Sequence, residues 1–131
     1  MLRIPSPLSS DLEDLVHRVI GCCITIHTEL GPGLLEVVYQ RAACYELEAR
    51  GIPFEREKPF PIMYRGRRLF VHRLDLVVSD QLLVELKAVE RLHPVHHAQV
   101  LSGLRASKLR IGLLVNFNVA VLPQGIRRIV L

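Results

Sequence analysis

The stretch Leu74-Asp75-Leu76-Val77-Val78-Ser79-Asp80-Gln81-Leu82-Leu83-Val84-Glu85-Leu86-Lys87-Ala88-Val89 holds two apolar, β-branched runs around a short polar break. That pattern predicts a hairpin of buried strands. Asp75, Glu85 and Lys87 interrupt the runs. Buried strands rarely carry charge unless it is paired or holds a metal. Glu85 and Lys87 are two apart and project from one face, while Leu82, Val84, Leu86 and Ala88 take the other and go to the core. Two acids and a lysine gathered on one sheet face form a divalent-metal site with a basic group beside it.

Loop length decides whether the acids meet. A two-residue turn at Ser79-Asp80 pairs Asp75 with Val84 and sends the two acids to opposite faces. A three-residue loop, Ser79-Asp80-Gln81, or a bulge pairs Asp75 with Glu85 instead. A shared metal therefore requires an odd loop or a bulge. The alternative is a surface Glu–Lys pair on a half-exposed strand. Carboxylates about 4 Å apart repel by ~1 kcal/mol in water and ~4 kcal/mol at an effective dielectric of about 20. A hard cation with oxygen ligands turns that repulsion into binding.

At 131 residues, half of them apolar, the chain predicts one globular domain over 10–131 behind a loose tail, 1–9, that carries Pro5 and Pro7. No apolar run reaches the length of a membrane span, and Met1–Pro5 lacks a signal peptide's apolar segment. Cys22, Cys23 and Cys44 are few and show no metal-ligand spacing, which fits a reduced, cytoplasmic protein. The net charge of +4 permits an anionic partner without demanding one.

Outside the hairpin, Ser10 and Glu13 read as a capping box that opens a helix running to Gly31. Gly31-Pro32-Gly33 breaks it. A second helix is expected from about Leu34 to Arg50, stopped by Gly51, with Leu35, Val38, Ala42, Tyr45 and Ala49 toward the core. Strands are expected at Phe54–Glu57, Phe60–Tyr64 and Arg68–His72, with Arg65-Gly66 as a tight turn. Pro94 opens a third helix to about Ser107. Arg110–Asn116 and Ile126–Leu131 complete the strands, with a turn at Pro123-Gln124-Gly125. This order predicts an α/β fold with some α+β character: a central mixed β-sheet flanked by helices.

These elements together resemble the PD-(D/E)XK nuclease superfamily, and within it the small bacterial GxxExxY family. The likeness rests on Gly33-Leu34-Leu35-Glu36-Val37-Val38-Tyr39, Arg73-Leu74-Asp75, Val84-Glu85-Leu86-Lys87-Ala88 and His96-His97-Ala98-Gln99. Gly112–Phe117 and Ile126–Ile129 extend it over roughly residues 10 to 131. It implies a restriction-endonuclease-like core with a metal site at the fork of the sheet. By the same resemblance, Asp75 and Glu85 bind Mg²⁺ or Mn²⁺ with the Leu86 carbonyl as a further ligand. Lys87 orients or deprotonates the attacking water, Glu36 reaches in as catalytic group and ligand, and Gln99 comes from the third helix.

The implied activity is metal-dependent hydrolysis of nucleic acid, DNA before RNA, with a homodimer as one source of specificity. Tyr39, Arg73, His96, Arg67 and Arg68 are further candidates for substrate contact; packing, with the hydroxyl bonded to the site, explains Tyr39 better, and simple solvation the clustered Arg67 and Arg68. Related nucleases often carry tyrosine four residues after the glutamine, where this chain has Gly103. The rival expectation is a catalytically inactive module that keeps the fold and binds nucleic acid or a protein.

Overall fold

The computed structural model describes residues 6–131; residues 1–5 of the expected tail lie outside them. The remainder of that tail is anchored, because Leu8 is buried in the core. The chain runs α1 (Ser10–Leu30), α2 (Glu36–Ala49), β1 (Phe54–Tyr64), β2 (Arg67–Val78), β3 (Leu82–Lys87), α3 (Pro94–Ser107), β4 (Ile111–Asn116), a short 3₁₀ turn and β5 (Ile126–Val130). The strands form one sheet in chain order. Only β3 and β4 pair in parallel; the other neighbours are antiparallel.

The sheet is covered on both faces. Val16, Val19 and Ile26 of α1 and Leu47 of α2 share one core with Leu76, Val84, Leu86 and Leu113. Val100 and Leu104 of α3 share the other with Val77, Leu83, Leu114 and Ile129. Strand β4 is buried at every position, which explains its unbroken apolar run. Gly103 brings α3 close: a Cβ there would lie 2.8 Å from Leu74 Cδ2 and 3.0 Å from Leu83 Cδ2.

Four expectations need correction. The cap of α1 is Ser9, whose side chain accepts from the Leu12 N–H at 3.2 Å, not Ser10. Glu13 is therefore released from a capping box and bonds Arg128 and Ser6 instead. The buried stripe of α2 is Tyr39, Ala43 and Leu47, whereas Leu35 and Tyr45 are exposed. Apolar residues surround this helix, so its sequence does not single out a face. Finally, Phe54–Tyr64 is one strand that turns sharply at Glu57 (φ +50) rather than two.

The Arg65-Gly66 turn forms as expected, with both residues at positive φ (+49 and +78). The loop after β2 is the three-residue one: Val78 pairs with Leu82, and Ser79 and Asp80 both adopt left-handed backbone (φ +52 and +55). Short polar side chains tolerate that conformation, aspartate best.

Candidate functional site

The β2–β3 ladder closes Val78–Leu82, Val77–Leu83 and Leu76–Val84, then stops. Beyond it β2 stays with β1 as far as Arg67, while β3 stays with β4 as far as Lys87. The sheet forks between Asp75 and Glu85. Side chains replace the missing ladder there: the Asp75 N–H donates to Glu85 Oε1 at 3.4 Å, and the Leu86 N–H donates to Asp75 Oδ2 at 3.2 Å. The two acids thus converge because the loop holds three residues.

Their convergence is electrostatically costly. Burial, followed by the charge of Asp75, pushes the Glu85 carboxyl from an ordinary 4.5 up to about 8. Lys87 does not lie between the acids. Its Nζ stands 4.0 Å from Glu36 Oε1, and both side chains are partly exposed. Such a pair is worth about 0–1 kcal/mol, so Lys87 can turn to another anion at little cost. Burial also raises Glu36, which Asp75 raises further and Lys87 lowers.

A loop aims Glu36. Gly33 takes φ +99, and the Tyr39 hydroxyl donates to the Gly31 carbonyl at 2.7 Å while accepting from the Leu34 N–H at 3.1 Å. The Tyr39 ring is fully buried and stacks on Phe117 at 4.4 Å. Its place is that of a packing residue, and its hydroxyl fixes the loop from which α2 starts at Glu36. Glu36 itself faces Lys87, and the charge of Asp75 also reaches it. Among the described residues no three His, Cys, Asp or Glu side chains close into a metal cage.

The donor set nevertheless fits a hard divalent ion. It consists of two carboxylates, one raised first by burial and then by its like-charged neighbour.

From α3, His96 is half-buried, and its Nδ1 accepts from the His93 N–H at 3.0 Å. Burial lowers its affinity for a proton, and the charge of nearby Lys87 adds to this. His96 lines a groove of about 370 Å³ with Val89, Glu90, Arg91 and His93. Gln99 is exposed, and no hydrogen bond among the described residues joins it to the acids. Arg73 is exposed two residues before Asp75. Arg67 and Arg68 lie near the far tip of the β1–β2 hairpin, seven to eight residues away, or roughly 25 Å along an extended strand. They are not part of the acid cluster.

Sequence reasoning missed the role of Asn116, a buried amide that pairs twice with Val89. Its Oδ1 accepts from the Val89 N–H at 3.0 Å, and its Nδ2 donates to the Val89 carbonyl at 2.9 Å. The Phe117 N–H donates to the Lys87 carbonyl at 2.9 Å. Together they fix where β3 ends and hence where Lys87 stands. The available signal was a polar residue ending the apolar run Ile111–Val115.

A five-stranded mixed sheet, helices on both faces and acids at the point where two strands part define a restriction-endonuclease-like α/β protein. The chain belongs to the PD-(D/E)XK nuclease superfamily, whose family model matches residues 13–129. Members of that superfamily are generally nucleases and typically use divalent metals such as Mg²⁺. No curated protein and no solved structure matches the chain significantly. No helix among the described residues is long and apolar enough to cross a membrane.

Gly103 faces Leu74 and Leu83 in the core under α3, where a Cβ would press on the ends of both side chains. Glycine at this position lets α3 pack closely on the sheet.

Proposed function

We propose that this protein is a metal-dependent nuclease that hydrolyses phosphodiester bonds, with DNA as its first substrate. The observation that carries this is the convergence of Asp75 and Glu85 across the fork, with Lys87 beside them. Asp75, Glu85 and the Leu86 carbonyl would hold Mg²⁺ or Mn²⁺. When bound, such an ion polarises a phosphoryl oxygen and lowers the pKa of coordinated water. Lys87 supplies a mobile positive charge toward the attacking water and the phosphate as negative charge grows. Glu36 holds that ammonium in place between turnovers, which makes it a positioning residue. The Gly33, Glu36 and Tyr39 spacing supports the narrower GxxExxY assignment, because those residues turn, aim and pin one loop.

The rival is a nuclease-fold module that binds without cutting. It draws support from Glu36 being engaged by Lys87 at 4.0 Å, which occupies both groups with one another. Incubation of pure protein with single-stranded, duplex and branched DNA and RNA, each with Mg²⁺ or Mn²⁺, tests both. Cleavage by wild type and none by Asp75→Ala is the expected result. Binding without cleavage of every substrate would replace the nuclease with the binding module.

A further inference from the structure

The distal β1–β2 hairpin has an unusual charge and surface. From Lys58 to Leu74 the chain carries Lys58, Arg65, Arg67, Arg68 and Arg73 and no acidic residue. The whole chain has 17 basic and 13 acidic residues, so everything outside this hairpin is slightly acidic. The tip is apolar as well as basic: Tyr64 is 57 % exposed and Phe70 68 % exposed.

Register places the two rings together. Tyr64 pairs with Arg67 and Ile62 with Phe70, and the ladder shifts between these pairs so that Leu69 is the extra residue. Opposed residues share a face, as do residues two apart on one strand. Ile62, Tyr64, Arg67 and Phe70 therefore lie on one face. Closer to the sheet that face is covered, since Phe60 packs into the core under α3. Beyond α3 nothing covers it among the described residues. The Arg65 guanidinium already sits over the Tyr64 ring, 5.3 Å from its centroid.

We propose that this arm binds single-stranded nucleic acid, stacking unpaired bases on Tyr64 and Phe70 while Arg67 on the same face, and Arg68 where the strand passes around the edge of the ribbon, meet the phosphates. Aromatic rings interleaved with arginine are the elements of a sequence-tolerant single-strand platform. In a duplex the base faces are already stacked on one another and unavailable to these rings. A second copy of this chain is a poorer occupant, because a two-fold contact through the arm sets its cations against their own copies. The inference rests on the nuclease reading for its purpose: a strand held on the arm leads along β2 to Asp75, roughly 17 Å beyond Phe70.

The test is an anisotropy titration in chelator, where nothing is cut, using a fluorescent 15-nucleotide single strand and the matching blunt duplex. Tyr64→Ala and Phe70→Ala should each weaken single-strand binding about tenfold and leave duplex binding within twofold, while Tyr64→Phe, which keeps the ring, should bind like wild type. The chain has no tryptophan, so Tyr64→Trp gives a local reporter that single strand should quench. Unchanged single-strand affinity in both alanine variants, or no quenching, overturns the arm. So does a dimer, seen by sedimentation, that both alanine substitutions dissolve while single-strand affinity stays at the wild-type value. Cleavage assays separate the two proposals. Asp75-dependent cutting that ignores the arm variants sinks the arm alone; arm-dependent binding with no cutting sinks the nuclease alone.

Discussion

Strand β2 has two halves of similar sequence character and opposite fates. Leu76, Val77 and Val78 are buried between β1 and β3, and Leu74, paired with β1 alone, is buried under α3. Leu69 and Phe70 are as apolar, yet both are mostly exposed because only β1 pairs with them. β-Propensity specifies an extended chain; neighbours decide whether it is buried. Asp75 marks the boundary, so the candidate site lies where a core strand becomes a solvent-exposed ribbon.

The largest expected contrast between the halves is in activity. Asp75→Ala should lose metal binding and cleavage together. Lys87→Ala should keep Mn²⁺ binding, because an ammonium does not ligate metal, while cleavage falls about a hundredfold. Calorimetric Mn²⁺ titration beside single-turnover cleavage separates them; a Lys87→Ala variant that cuts like wild type removes lysine from the mechanism.

Stability gives the next contrast. Leu74→Ala should cost about 2–5 kcal/mol, the usual range for a buried leucine. Phe70→Ala, four residues away but exposed, should change stability by less than about 1 kcal/mol. Urea denaturation of both variants measures this, and equal losses would mean the arm folds against the body.

Glu85 makes stability depend on pH with a definite sign. Its folded-state pKa is raised to about 8 from 4.5, so between those values the folded chain binds more protons than the unfolded one. Metal-free protein should therefore lose stability as pH rises from about 4.5 to 8. Glu85→Gln should flatten that slope, and Mg²⁺ should offset the loss at the alkaline end. Melting temperatures across the range test it; a slope unchanged in Glu85→Gln assigns the effect elsewhere.

The smallest effect belongs to the arm's cations. Nucleic-acid binding should weaken with salt, and removing Arg67 or Arg68 should reduce the log–log slope by about one each. An unchanged slope takes the arm's tip off the phosphate path.

What could be read without coordinates follows the same divide between local and distant causes. The odd loop at Ser79–Gln81, the Arg65-Gly66 turn and the α3 start at Pro94 depend on a few adjacent residues, and their chemistry is visible in the sequence. The orientation of α2 depends on Tyr39 stacking on Phe117, far along the chain, and no local periodicity could supply it. The acid pair was legible because its partners are ten residues apart. The fork came only through the family resemblance, and the Glu36–Lys87 contact and the Asn116–Val89 pairing were not legible, since each needs two elements already placed.

That divide bears on the order of folding. The β2–β3 hairpin is a local contact, and such hairpins close within microseconds, ahead of long-range pairings. Closure of that hairpin ahead of β4 docking would bring Asp75 and Glu85 together before Lys87 is set in place. Their repulsion would then fall on the uphill side of the barrier, where a counter-charge speeds folding rather than slowing unfolding. Refolding of wild type in stopped flow should accelerate with Mg²⁺ or with mild acid, and Glu85→Gln should refold fast without either. An acceleration absent in wild type would place closure of the fork after the rate-limiting step.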